Sequence, residues 1–301
     1  MSWFYLALLA PLFYAFANLI DDNLVQNTTT GPYFITIVAG LGGLLPLLSL
    51  FFVHLDSISM GLSALAILTG FLTTWYYFFY FKALEVESPS VVIALFSLTP
   101  ATLPFLAHFL LHEHLDTGQL VGLGVVLLAS LGIAINKGDK FKLSKAIVPA
   151  MIVVVLVDVI SLVSKYTYSH ASFYPVYIAY SLGLGLGGVY FMLVVHHAKK
   201  GAILSSLKEI LRKYFVLFIF SELFALSAEF VQNLAVDRGP VSLVRVIEGV
   251  QPMFVLLTAV ALYPFWPKAF REAKEGGVSR KLILMVIIIF GLFLIERASR
   301  G

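Results

Sequence analysis

Ten long apolar stretches run along this chain, and the second five repeat the first five. Phe79-Tyr80-Phe81-Lys82-Ala83-Leu84-Glu85 aligns with Val231-Gln232-Asn233-Leu234-Ala235-Val236-Asp237 at an offset of 152, which also carries Pro100 onto Pro252. Gly40-Leu41-Gly42, downstream of Pro32, matches Gly183-Leu184-Gly185, downstream of Pro175. An odd number of stretches per copy forces the second copy to enter a bilayer upside down relative to the first. Inverted repeats of this kind are a building plan of secondary transporters, whose solute site lies near the midplane where the repeats meet. The pattern predicts an all-α polytopic membrane protein of ten transmembrane helices, arranged as five-helix repeats over residues 1–138 and 139–301.

Composition closes off most alternatives. The chain is 60% hydrophobic and only 12% charged, against roughly 25% charged in soluble domains. Too little polar surface remains to coat a water-facing protein. The predicted spans are 2–20, 32–53, 58–81, 89–111, 117–136, 146–168, 172–197, 213–236, 240–263 and 281–297, each near the ~20 residues that cross a bilayer. Backbone polar groups must satisfy themselves in lipid, and the alternation of a barrel is absent, so the spans read as helices. Met1-Ser2-Trp3-Phe4 has no basic region or small-residue cleavage site, so span 1 reads as retained rather than as a signal peptide. The absence of cysteine excludes disulfides and thiolate chemistry. A net charge of +3 argues against a nucleic-acid partner.

Ionisable residues inside spans cost ~2.5–3.5 kcal/mol each on insertion scales and default to a functional hypothesis. Five stand out, all in the second repeat: Asp158, Glu222, Glu229, Arg245 and Glu248. Glu222, Glu229 and Asn233 share one face of span 8; Arg245, Glu248 and Pro252 share one face of span 9; Asp158, Ser161 and Lys165 form a third stripe on span 6. Measured from the Asp237-Arg238-Gly239-Pro240 turn, Glu229 and Glu248 both lie ~12 Å deep, with Asp158 at ~15 Å. Glu222 lies two turns further in. Two readings compete for this layer. One is a buried ion-pair network around Arg245 that fixes helix register. The other uses surplus charge: one arginine cannot neutralise four carboxylates, and a carboxylate left without a cation in hydrocarbon can exchange protons near neutrality. On that reading Glu229, Asp158 and Glu222 are the proton-coupling candidates, with Glu229 first. Arg245 and Glu248 join Tyr14 and Asn18 on span 1 and Trp75 and Tyr76 on span 3 as substrate-binding candidates. Asp21 and Asp22, near the end of span 1, read as solvated.

The remaining features are weaker. Gly40, Gly42, Gly43, Gly183, Gly185, Gly187 and Gly188 lie in spans 2 and 7 and read first as helix-packing residues. Pro100, Pro104 and Pro252 are expected to kink their helices. The amphipathic segment from Lys199 to Lys213 fits either a helix on an anionic leaflet or a plain connector. His108, His112 and His114 beside Glu113 have the spacing of a metal site. A membrane enzyme built on histidine needs more of them, so they read as interfacial, and no metal or cofactor is expected.

The segment Ala83-Leu84-Glu85-Val86-Glu87-Ser88-Pro89 through Pro100, followed by Leu111-His112-Glu113-His114-Leu115 and Gly122-x-Gly124, resembles the EamA-like branch of the drug/metabolite transporter superfamily. The second repeat keeps Ala235, Pro240 and Pro252 but has Tyr263-Pro264-Phe265-Trp266-Pro267 where the family's glutamate motif falls. The resemblance implies ten helices, an alternating-access carrier and a central cavity lined by spans 1, 3, 4, 6, 8 and 9. It implies amino acids or other small metabolites as substrates, and termini in the cytoplasm. The expected function is a secondary active exporter or exchanger of a small polar metabolite, proton-coupled on the surplus-carboxylate reading. The alternatives are a non-transporting scaffold or lipid-handling protein and, further off, a histidine-cluster enzyme. The expected partners are a small-molecule substrate and the lipid bilayer, with a homodimer left open.

Charge asymmetry assigns the orientation. The loops after spans 3, 5, 7 and 9 carry most of the 20 basic residues, including Lys137, Lys140, Lys142, Lys145, Lys199, Lys200, Arg271 and Lys274. The positive-inside rule makes these loops cytoplasmic and puts both termini outside an inner or plasma membrane, opposite to what the resemblance implies. Asn27-Thr28-Thr29 supplies the test, because it is an N-glycosylation sequon in the first loop. With termini outside, that loop is cytoplasmic, and expression in a eukaryotic host leaves Asn27 unmodified; a glycosidase-sensitive mass shift lost in Asn27→Gln reverses the topology.

Overall fold

A computed structural model describes residues 2–27, 31–52, 56–87, 92, 96, 99–134, 147–198, 202–262, 264 and 278–299. Among these the ordered elements are helical: α1 Trp3–Asn27, α2 Gly31–Gly42, a 3-10 turn Leu45–Phe51, α3 Met60–Leu84, α4 Thr99–Leu111, α5 Thr117–Ala134, α6 Ile147–His170, α7 Phe173–Ala198, α8 Ala202–Arg238, α9 Val241–Glu248, α10 Gln251–Leu262 and α11 Val278–Ala298. Of these segments, 7 are long and apolar enough to cross a membrane, and Thr99–Leu111 and Thr117–Ala129 are shorter apolar helices. The outer surfaces of several helices are greasy, as lipid-facing sides must be: Val155 and Val159 on α6, Phe215, Phe220 and Leu223 on α8, and Ile283, Val286 and Phe290 on α11 are exposed. The chain is a multi-pass membrane protein.

Packing gathers the helices around a common centre. α1 lies along α8, α3 packs on both α6 and α7, α2 on α7, α4 on α6 and α9, and α10 on α1, while α5 and α11 pair at one side. Trp3 sits beneath Gly239, where a Cβ would meet its ring at 2.6 Å. The start of α1 therefore shares a face of the bundle with the α8–α9 turn. That face is tied together by charged side chains. Lys165 Nζ donates to the carbonyls of Val236 (2.9 Å) and Gly239 (2.8 Å), closing the C-terminus of α8. Glu113 accepts from the backbone N–H of Ser242 at 3.1 Å and from its hydroxyl, closing the N-terminus of α9. Lys165 is thus a helix cap, not a partner of the Asp158 stripe on which the sequence placed it.

Several elements depart from the sequence expectation. α1 continues to Asn27 instead of ending near residue 20, because Asp21 and Asp22 are buried rather than solvated. The second span ends as a helix at Gly42 and continues as a 3-10 turn. The ninth span is not a continuous helix kinked at Pro252. It breaks at Gly249-Val250, where the Gly249 and Val250 N–H groups close tight turns onto Val246 and Ile247, and Pro252 becomes the second residue of α10. A proline there loses nothing, since an N–H in the first turn has no helical acceptor. The connector after span 7 is taken into the 37-residue helix α8. The side chains of its first turns and most of the basic loop residues lie outside the described residues, and so does Pro89.

Glycines set the closest helix contacts. On α3 and α7, a Cβ at Gly70 would strike the Tyr180 carbonyl and one at Gly183 the Ile67 carbonyl. Gly183→Ala is expected to lower stability by about 1–3 kcal/mol, because two backbones must move apart. Gly124 has open space around its Cβ position, so Gly124→Ala should stay within about 0.5 kcal/mol of wild type or gain slightly. Thermal unfolding of the purified variants in detergent distinguishes the two.

Candidate functional site

A cavity of about 90 Å³ opens at the centre of the bundle. Its wall takes Tyr14 and Asn18 from α1, Tyr76 and Tyr80 from α3, Thr99 and Pro100 from α4, Ser161 and Ser164 from α6, and Tyr180 from α7. Glu229, Gln232 and Asn233 come from α8, and Arg245, Glu248 and Gly249 from α9 and the break after it. A second, smaller cavity of about 40 Å³ adjoins it, sharing Tyr14, Asn18, Tyr76 and Tyr80 and reaching Tyr77, Asp21, Ser221 and Glu222.

One hydrogen-bonded chain crosses the main cavity and joins four helices. Tyr14 donates to Gln232 Oε1 (2.8 Å), and Gln232 Nε2 donates to Glu248 Oε2 (2.9 Å). Arg245 Nη1 donates to the same Oε2 at 2.7 Å while its Nε donates to Ser161 (2.8 Å). Arg245–Glu248 is the ion pair of the described residues, one turn apart on α9. The arginine is therefore committed to one carboxylate.

Glu229 is held differently. Tyr77 donates to its Oε1 at 2.5 Å and Tyr180 donates to its Oε2, so each oxygen has a phenol and no cation is within ion-pairing distance among the described residues. Its helix is fixed nearby by Asn233, whose Nδ2 donates to the Glu229 carbonyl and whose Oδ1 accepts from Tyr168. Asn18 is 5% exposed, and Tyr80 donates to its Oδ1 at 2.8 Å. That bond fixes the amide and leaves Asn18 Nδ2 without a partner; Thr99 Oγ1 on the same wall is also unpartnered. Such buried, unfilled valences are what a bound polar molecule or water would satisfy.

Of the residues singled out from sequence, Tyr14, Asn18, Tyr76, Glu229, Arg245 and Glu248 meet at the main cavity. Three do not. Trp75 lies outside the wall, packed against Phe191 and Tyr190 of α7 with ring centroids 4.9 and 5.8 Å away, because one residue along a helix turns a side chain by about 100°. Asp158 is turned aside for the same reason: Val157, Ile160, Ser161 and Ser164 face the cavity, while Asp158 accepts from Thr102 of α4 at 2.7 Å. Glu222 faces the smaller cavity, where a Cβ on Gly42 would strike it. Sequence reasoning missed Tyr77 and Tyr180. Tyr77 was hidden in a run of aromatics that reads as an interface belt, and Tyr180 carries no signal beyond being a hydroxyl inside an apolar span. His108, His112 and His114 form no metal-binding group with other described residues; His108 Nδ1 instead lies 3.0 Å from the Glu113 carbonyl.

Comparison with known proteins follows this geometry. Residues 1–135 match the EamA-like transporter family. The resemblance carried by the Ala83–Pro100 and Leu111–Leu115 motifs thus holds over the EamA-like segment, within the drug/metabolite transporter superfamily. No curated protein matches the chain. Among solved structures, 29 chains are similar to it. One, described only as "Crystal structure of protein", shares the fold with a TM-score of 0.64 at 17% identity, covering 96% of this chain and 97% of its own. The fold therefore extends over the EamA-like segment and the rest of the chain together.

The ion pair can be tested separately from transport. Removing one partner leaves the other charge stranded, so Arg245→Gln or Glu248→Gln alone is expected to cost on the order of 3 kcal/mol, and the double variant less than either single one. Thermal unfolding in detergent measures all three. A double variant that loses the sum of the two single losses shows that the groups do not act as a pair.

Proposed function

We propose that this protein is a secondary active carrier, an exporter or exchanger, that moves a small polar metabolite, such as an amino acid, by alternating access around the main cavity, with transport coupled to protons at Glu229. The observation that carries this reading is a buried carboxylate on the cavity wall whose neighbours are two phenols, while the nearby arginine is committed to Glu248. Membrane-embedded carboxylates of this kind mark ion and proton pathways. The solute is read by Tyr14, Asn18, Tyr76, Arg245 and Glu248. The free Asn18 amide faces an acceptor on the solute, such as a carboxylate oxygen, and the outer oxygen of Glu248 faces a donor, such as an ammonium group.

Two observations support an inverted pair of five-helix units, 1–138 and 139–301, as the moving parts. Helix pairings recur across the units: α1 on α8 has its counterpart in α3 on α6, and α1 on α10 in α4 on α6. Tyr77 and Glu229, hydrogen-bonded to each other, are separated by 152 residues, the offset at which the sequence repeats. Equivalent residues of two inverted units meet at the axis relating them. The break at Gly249 places a discontinuous helix against the cavity, as carriers of this architecture do. The basic loops assign the face where α1 starts to the outside of an inner or plasma membrane.

The test is flux in liposomes. Wild-type protein should show counterflow of a labelled solute when pools of amino acids and small organic cations are screened. Uptake of that solute should rise with an imposed pH gradient. Glu229→Gln is expected to flatten the pH dependence while solute-for-solute exchange persists. Unchanged pH dependence in Glu229→Gln rejects the coupling, and absence of counterflow with every pool rejects transport.

A further inference from the structure

The smaller cavity shares part of its wall with the main one and places two further carboxylates, Asp21 and Glu222, beyond it. It lies between α1, α3 and α8 on the side away from the α8–α9 turn. Asp21 is six residues from the end of α1, ~9 Å from that opposite face, and Glu222 is seven residues, ~10 Å, before Glu229 on α8 and so further from the α8–α9 turn. Asp21 Oδ1 accepts from Ser221 at 2.5 Å. With a volume of about 40 Å³, the chamber holds a few waters at ~10–15 Å³ each. Two observations beyond the carboxylates point to what fills it. Asn18, 5% exposed, lines both cavities with its Nδ2 unpartnered; an amide N–H₂ repels a metal cation and, when no solute takes it, donates to a water oxygen. Tyr77 lines this chamber and not the main one, whereas Glu229 lines the main one and not this. Their hydrogen bond passes through the shared wall.

We propose that the smaller cavity is a water-filled proton relay joining Glu229 to the face opposite the α8–α9 turn, with the Tyr77 hydroxyl as its connecting link and Asp21 and Glu222 as its entry. This inference rests on the coupling role of Glu229. In one concerted shift, Tyr77 gives its hydroxyl proton to Glu229 Oε1 and takes one from a chamber water. That water is reprotonated from the Glu222 or Asp21 carboxyl, which refills from the opposite face. One O–H bond forms on Glu229, one breaks on the entry carboxyl, and Tyr77 and the water end as they began. Unloading toward the main cavity then leaves the relay reset.

The ionisable surroundings are few. Facing Glu229 are Tyr14 from α1, Tyr76 and Tyr77 from α3, Tyr168 from α6, Tyr177 and Tyr180 from α7, and the Arg245–Glu248 pair from α9. Facing Asp21 and Glu222 are Asp22 and each other, Tyr76 and Tyr80 from α3, and Glu229 along the same helix; α2 contributes Ala39 and α7 Leu184, neither of which titrates. Among the described residues no cation stands inside the chamber wall, so protons have carboxylates to visit and no fixed positive charge to cross.

The experiment uses purified full-length protein in lipid nanodiscs, with the proton itself as probe. A rapid pH jump is followed by time-resolved infrared difference spectroscopy of the protonated carboxyl band, assigned to Glu229 by its loss in Glu229→Gln. Tyr77→Phe removes the link, and Ala39→Leu fills the chamber from α2, a helix that does not carry Glu229. Each is expected to slow protonation of Glu229 by on the order of ten-fold or more, the scale of losing a positioned proton carrier. Rates within about two-fold of wild type in either folded variant overturn the relay while leaving Glu229 as a proton-exchanging group. If no band is lost in Glu229→Gln, the coupling role itself fails and the relay with it.

Discussion

Charge placed in hydrocarbon must find a partner, and the arrangement around the centre of this bundle follows from how few partners there are. Arg245 is the cation on the cavity wall, and it is bonded to Glu248 on its own helix and to Ser161 on α6. Glu229 is left to neutral donors. Two phenols satisfy its oxygens without cancelling its charge, which distinguishes it from Glu248 although both border the same space. A neutral hydrogen bond stabilises a carboxylate less than an ion pair does. Glu229 is therefore the carboxylate of this wall that neutral donors alone hold among the described residues.

That arrangement depends on helix packing some distance away. The phenols come from α3 and α7, and they converge on Glu229 because those two helices touch backbone to backbone. Gly70 and Gly183 make the approach possible: each presents hydrogen to the carbonyl of the facing helix, where any larger residue would hold the pair apart. In lipid, where burial of apolar side chains drives helix association little, such close contacts carry much of the packing. The glycines buried at the α3–α7 contact and a tyrosine pair at the cavity are thus parts of one mechanical unit.

The face where α1 starts is secured by two charges that lie outside the cavity wall. Lys165 gathers the last carbonyls of α8, and Glu113 the first N–H of α9. Both neutralise helix-end dipoles where the hairpin between those helices turns. Below that turn α9 runs only as far as Glu248 before the backbone breaks, so the segment carrying Arg245 and Glu248 is a short helix pinned at one end and free of helical continuity at the other.

The sequence by itself determined that the chain is helical and crosses a membrane several times, because apolar length is set by bilayer thickness and needs no knowledge of neighbours. It also marked Glu229, Arg245 and Glu248, since an ionisable group in an apolar span is conspicuous wherever it points. It named Tyr14, Asn18 and Tyr76 as binding candidates together with Trp75, and could not tell them apart. Tertiary structure decided everything that depends on azimuth. A rotation of one residue sends Trp75 into the α7 interface and Asp158 toward Thr102, while leaving Tyr76 and Ser161 on the cavity. Depth along a helix is counted from sequence, but azimuth is fixed only when neighbouring helices dock. Tyr180 illustrates the limit most sharply: within its own span it is one more aromatic residue, and its proximity to Glu229 exists only because glycines on two other turns let α3 and α7 meet.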